Sequence, residues 1–190
     1  MNWRFAIGLL AILAAGCAHS TVVHTPAQPL LPYPLSPVTL GHDLSLSQTV
    51  TGEYSDQTRT MRIELEVTST RLVVVGLSSF GIPVFSLELV GDHVEATSTG
   101  SEELSLDPYQ ALSDIQLAYW PAEAVRVALA SKGLRLNVDA TDSSRRVYSS
   151  DDLLMVEITY YPSASTPQEI LIQHFDPTYK LRVTTIGGED

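Results

Sequence analysis

The sequence predicts an α+β domain, mainly antiparallel β, in which roughly ten strands form a half-open, incomplete barrel with a helical lid. Three observations predict it. Short segments with alternating apolar and polar residues lie on both sides of a single helical passage, Leu112 to Leu129, LSDIQLAYWPAEAVRVAL. Turn residues separate these segments closely enough for neighbours to pair as an antiparallel meander. A sheet of that many strands accumulates twist until it curls or splits. Curled around a helical pair with apolar stripes to bury, it gains an apolar concave face and a helical cover.

The N-terminus stands apart from that domain. Met1 to Arg4 is a short positive start, Phe5 to Ala15 an apolar run, and Ala14-Ala15-Gly16-Cys17 a small-residue cleavage site ending in cysteine. Residues 1–16 therefore read as a lipoprotein signal peptide. The apolar run is shorter than the ~20 residues of a membrane-spanning helix. Cys17 is the only cysteine among 190 residues, and acylation there would leave no thiol for a disulfide, so the core alone would stabilise the domain. Residues 17–40 read as the lipidated cysteine and a linker, with Pro26, Pro29, Pro32, Pro34 and Pro37 favouring an extended spacer. Residues 41–187 are left as a single domain, which at this length buries about 70% of its unfolded surface.

In that domain Leu44, Leu46, Gln48 and Val50 alternate with polar neighbours, as do Met61, Ile63, Leu65 and Val67, predicting a hairpin. Arg71 to Leu77 is rich in β-branched residues, Val84 to Val90 alternates, and Gly91-Asp92 turns into a short strand, His93 to Thr97. Leu112, Ile115 and Tyr119, then Val125 and Leu129, have helical spacing. Proline inside a helix removes a hydrogen bond and clashes with the preceding turn, so Trp120-Pro121 splits the passage into two helices. Asp107-Pro108 supplies an N-cap and first-turn proline, and Gly133 a stop. Strands resume at Leu134 to Val138, Arg146 to Ser149, Leu153 to Tyr160, Glu169 to His174 and Tyr179 to Thr185.

Charge narrows the partners. The formal net charge of −11 becomes one unit more negative when Arg4 leaves with the leader. Nucleic-acid phosphates need lysine and arginine, so no nucleic-acid partner is expected. Membrane contact should come through acyl groups and apolar side chains.

Catalytic patterns are missing. The histidines at 19, 24, 42, 93 and 174 show no metal-ligand spacing. Gly76-Leu77-Ser78-Ser79-Phe80 departs from a nucleophile elbow because Phe80 stands where the second glycine is needed. Asp151-Asp152 and Glu102-Glu103 sit in polar turn sequence, where solvated acids are the rule. No enzymatic activity, cofactor or metal is expected.

Two resemblances add to this reading. Leu13 to Cys17 resembles the bacterial lipobox, although its leucine is not at the usual third place before the cysteine; Ala18, where enterobacterial lipoproteins carry an aspartate for inner-membrane retention, implies the outer membrane. Leu46 to Gly52, Asp114 to Pro121 with its QLAYWP block, and Val156 to Tyr160 resemble a family of small Gram-negative outer-membrane lipoproteins found beside aryl-polyene and related fatty-acid-type synthesis clusters. More remotely, the order of elements is similar to the lipoprotein carriers LolA and LolB, with the helix-Trp-Pro-helix passage and the turn Leu77 to Gly81 in corresponding places. That likeness implies a half-barrel whose apolar cavity receives acyl chains or lipidated cargo, a lipid-anchored domain facing the periplasm, and a periplasmic carrier protein as partner.

Alternation makes Leu65, Val67, Val73, Val75, Phe85, Leu87, Leu112, Ile115, Trp120, Val125 and Leu129 the candidates for the shared interior, as cavity lining or as a solid core. The turn Ser78 to Pro83 places Phe80 and Ile82 where polar residues are usual, so they either fold back onto the sheet or project towards a membrane or partner. The expected function is an outer-membrane lipoprotein that binds an acyl chain and hands it on. A non-enzymatic envelope scaffold with a solid core is the alternative.

Overall fold

The computed structural model describes residues 29–54, 57–99 and 107–189. The expected signal peptide, Cys17 and the first part of the expected linker lie outside the described residues. The strands are β1 (Leu44–Tyr54), β2 (Gln57–Val67), β3 (Arg71–Leu77), β4 (Pro83–Val90), β5 (His93–Ser98), β6 (Arg135–Val138), β7 (Ser144–Tyr148), β8 (Leu154–Tyr161), β9 (Glu169–Phe175) and β10 (Thr178–Glu189). Helices α1 (Pro108–Tyr119) and α2 (Ala122–Ala130) lie between β5 and β6.

All ten strands form one antiparallel sheet in the order β5-β4-β3-β2-β1-β10-β9-β8-β7-β6. β1 to β5 make one meander and β6 to β10 another, joined where β1 pairs with β10 from Ser45↔Glu189 to Tyr54↔Tyr179. The sheet does not close, and β5 and β6 are its two edges. The helical pair carries the chain from one edge to the other.

Period-two alternation sets the faces. Leu65 and Val67 of β2, Leu72 and Val74 of β3, Phe85, Leu87 and Leu89 of β4, Val156, Ile158 and Tyr160 of β8, and Ile170 and Ile172 of β9 are buried on one side. Leu112, Leu117, Trp120, Val125, Ala128 and Leu129 of the helices meet them in the same core cluster. The opposite face carries cross-strand ion pairs, Arg71 with Glu66, Arg146 with Glu157 and Arg182 with Glu169.

Val73 and Val75 correct the expected interior. Val73 stands level with Glu66 and Glu88, and Val75 with Glu64 and Ser86, on the outer face. β3 reads Leu72-Val73-Val74-Val75, apolar at every position, so alternation cannot choose a side. Pairing with β2 does, setting Leu72 against Val67 and Val74 against Leu65.

The helix break falls at the predicted place. Trp120 is extended (φ −70°, ψ 152°), as a residue before proline prefers, and α2 begins just after Pro121. Gly133 takes a left-handed φ of 71° at the turn beyond α2.

The end of the linker differs from the extended spacer that its prolines predict. Leu31, Leu35, Pro37 and Leu40 are buried, a single 3₁₀ turn (Pro37–Leu40) packs against β3, and the three leucines belong to the core cluster. The physical reason is on α1, which offers hydrogen-bonding side chains to this backbone. Residues 29–40 thus form a strap.

Candidate functional site

The site is assembled around α1, which is held at both ends. At its N-terminus Asp107 Oδ1 accepts from the amides of Tyr109 (2.8 Å) and Gln110 (3.4 Å), with Pro108 at the first turn. At the other end the sheet supplies donors for the last carbonyls. Arg145 Nη1 donates to Leu117 O (2.9 Å) and Trp120 O (2.7 Å), and Tyr160 Oη donates to Ala118 O (2.8 Å). Among the described residues no carboxylate forms an ion pair with the buried Arg145 guanidinium; the negative end of the helix and the Tyr160 ring, 5.5 Å from its carbon to the ring centroid, face it instead.

One side of α1 is fixed to the sheet through polar groups. Asp114 Oδ1 accepts from Gln110 Nε2 (3.0 Å) and shares a 2.9 Å hydrogen bond with His174 Nε2, while Oδ2 accepts from Tyr179 Oη (2.9 Å). Gln110 Nε2 also donates to Tyr179 Oη (2.8 Å), and the His174 ring stacks on Tyr179 with centroids 4.0 Å apart. Asp114 and His174 are both buried, so a carboxylate here depends on these donors. Burial, reinforced by Asp114, pushes the Tyr179 hydroxyl well above the usual phenol range. Burial also pushes Tyr119 up to about 12, offset in part by its hydrogen bond from Gln48. The polar atoms of this cluster satisfy one another, and it joins α1 to β9 and β10.

A second side of α1 holds the strap. Gln116, fully buried, accepts from Leu35 N at Oε1 (2.8 Å) and donates from Nε2 to Leu35 O (2.7 Å), engaging both backbone groups of one residue. Ser113 Oγ accepts from Leu31 N (3.2 Å), and Trp120 Nε1 donates to Thr39 Oγ1 (2.9 Å). Lys132 Nζ reaches Pro29 O (2.8 Å). The strap runs in the same direction as α1, with residues 31, 35 and 39 met by 113, 116 and 120.

Two small cavities border this assembly. One of about 150 Å³ lies between the strap and α1, lined by Leu31, Pro32, Tyr33, Leu112 and Gln116 among others. The other, about 110 Å³, opens between β4, β5 and the start of α1, lined by Phe85, Leu87, Ala96 and Pro108 with polar neighbours. The β3–β4 turn, residues 78–82, leads directly into β4, whose Phe85 and Leu87 line this opening. Phe80 is 88% and Ile82 62% exposed there, so of the two expected arrangements the turn projects.

The sequence-derived interior residues divide accordingly. Phe85 and Leu87 line the second cavity and Leu112 the first. Leu65, Val67, Trp120, Val125 and Leu129 are buried in close-packed core, and Ile115 packs against it part-buried. Sequence reasoning gave no role to Gln110, Ser113, Asp114, Gln116, Arg145, His174 or Tyr179. The signal was present in α1, where Gln110, Ser113 and Asp114 stand at i, i+3 and i+4 on one face with Gln116 beside them, a polar stripe that is buried in the folded chain. Among the described residues no three of His, Cys, Asp and Glu gather as a metal-ligand set.

A family model described as "Protein of unknown function (DUF3261)" matches residues 45–187. The chain belongs to the DUF3261 family. The matched region of this DUF3261 chain takes in the sheet and both helices and leaves the strap outside. No curated protein matches the sequence. Among solved structures, the DUF3261 chain is similar to a LolA superfamily protein from Nitrosomonas europaea, at TM-score 0.46 and 7% identity over 87% of this chain and 94% of that one. It is also similar to a DUF1329 family protein from Desulfovibrio piger, at TM-score 0.43 and 8% identity over 80% and 89%. At these values the likeness is one of shape, and function in this DUF3261 chain has to be argued from its own side chains.

Proposed function

We propose that this protein is a non-enzymatic, lipid-anchored lipoprotein of the outer membrane, facing the periplasm, that takes an acyl chain between the concave face of its sheet and α1 and hands it on. The observation that carries this reading is the pairing of a projecting apolar turn, Phe80 and Ile82, with an apolar opening lined by Phe85, Leu87, Ala96 and Pro108. Phe80 lies only a few residues along the chain from Phe85, so a hydrocarbon chain met by the turn has a short path to the edge of the core. Burial of ~0.8 kcal/mol per methylene gives a long acyl chain on the order of 10 kcal/mol, before the cost of moving whatever covers the interior. The cargo is a lipid, an aryl-polyene-type lipid or a lipoprotein acyl group, delivered by or to a periplasmic carrier.

A second reading, an envelope scaffold, has its own support. The two cavities are smaller than the roughly 300–1,000 Å³ of most small-molecule sites, and Trp120, Leu117 and Leu129 are fully buried in the core. Native mass spectrometry of the mature chain purified from cells separates the two. Retained acyl mass supports the carrier; a copurifying protein without lipid, and no binding of added fatty acids, supports the scaffold. Intact-mass measurement tests the anchor directly, with acyl mass on a chain beginning at Cys17 as the expected result and a free thiol or another cleavage point as the contrary one.

A further inference from the structure

The strap is bound to α1 as a ligand is bound to a receptor. Its main-chain groups are read in succession by Ser113, Gln116 and, through the Thr39 side chain, Trp120. A fully buried glutamine whose amide oxygen and nitrogen both engage the main chain of one residue is left with buried, unpaired groups when that residue leaves. The prolines at 29, 32, 34 and 37 hold the segment extended, which lowers the entropy lost on docking. Meanwhile Leu31, Leu35 and Leu40 point into the core cluster, removing from water about twelve apolar side-chain carbons, the content of a medium-length acyl chain. The 3₁₀ turn Pro37–Leu40 continues this cover onto β3, while α2 packs at the far edge against β6. A cavity of about 150 Å³ remains between this cover and α1, under Leu31 to Pro34.

We propose that residues 29–40 are an internal pseudo-ligand that occupies the acyl site beside α1, and that cargo binds by displacing it. The inference rests on the acyl-binding reading above and adds its regulation. The chemical class of the competing ligand is a single-chain acyl group, because the buried strap leucines Leu31, Leu35 and Leu40 present hydrocarbon and no charge. Displacement couples the site to the anchor, since residue 29 is twelve positions from Cys17 and that interval spans at most ~40 Å. Cargo that frees the strap would lengthen the tether between domain and bilayer.

Hexadecanoic acid tests this on the mature chain carrying Cys17→Ser, with Leu31→Ala/Leu35→Ala and Gln116→Met as strap-loosening variants. The apparent affinity of a ligand falls with the fraction of molecules open to it, so both variants should bind the fatty acid at least tenfold more tightly than the parent. A synthetic peptide of residues 29–40 should compete with it. Hydrogen exchange on the unaltered parent gives a readout independent of variant folding: saturating fatty acid should accelerate exchange at the Leu31 and Leu35 amides while α1 stays protected. Equal binding by parent and variants, or unchanged protection at those two amides under saturation, overturns the strap inference and leaves the acyl reading standing. No binding by any form overturns both.

Discussion

Tyr119, Tyr160 and Tyr179 each hold a hydroxyl away from water, which favours the neutral phenol and raises its pKa in the folded state. Below about pH 10 the phenols are protonated in folded and unfolded chains alike, and their contribution to stability is fully present. Above it the unfolded chain releases protons that the folded one keeps, so stability falls by up to ~1.4 kcal/mol per pH unit for each tyrosine. For Tyr119 the loss runs from about pH 10 to about 12. Urea melts between pH 9 and 11 should show this decline, and Tyr119→Phe should make it shallower. A flat profile would show that these hydroxyls reach solvent. None of these environments was legible in the sequence, because a tyrosine in a helix or an alternating strand looks the same whether its hydroxyl meets water or a buried partner from another element. The valines of β3 show the same limit: four consecutive apolar residues leave the choice of face to the neighbouring strand.

Individual elements were far more legible than their contacts. The Trp120-Pro121 break, the Asp107 cap and the two strands flanking Phe80 follow from local rules that act within a few residues. Two tests belong at this scale. An ideal Cβ on Gly76 would lie 2.0 Å from the Phe85 ring, so β4 can set Phe85 across β3 only because that position has no side chain. Gly76→Ala should cost about 1–3 kcal/mol by overpacking, read as a lowered midpoint in thermal melts; an unchanged midpoint would mean that the ring moves aside freely. Phe80→Glu, by contrast, should leave the midpoint unchanged, since a projecting side chain tolerates charge, while weakening liposome association or acyl transfer. Loss of folding would assign Phe80 to the core, and intact transfer would remove the turn from the mechanism.

At the scale of the molecule, the number of strands and the position of the helical pair could be read from patterning alone, but the order of strands across the sheet could not. Nothing in the alternation of Leu44 to Val50 announces that β10, and not only β2, will lie beside it. The docking of the strap shows a related limit, because proline content reports that a segment is extended and says nothing about whether a helix elsewhere carries a glutamine ready to bind it. Gln116→Ala should therefore destabilise the whole domain, by about 1–3 kcal/mol for each Leu35 backbone group left buried and unpaired, and calorimetry would detect it. No change would mean that water replaces the amide.

The central pairing of β1 with β10 also sets a timetable. Ten residues of β1 are matched in register to a strand more than a hundred positions later, so the middle of the sheet is closed by its most sequence-distant contact. Loops that long are slow to close, and chains dominated by such contacts fold slowly. Until β10 arrives, β1 presents an unpaired edge with Leu44, Leu46 and Val50 on one side, a surface able to recruit a strand from another molecule. Every newly made chain passes through that interval, with the half-sheet from β1 to β5 exposing its inner edge until the last strand arrives.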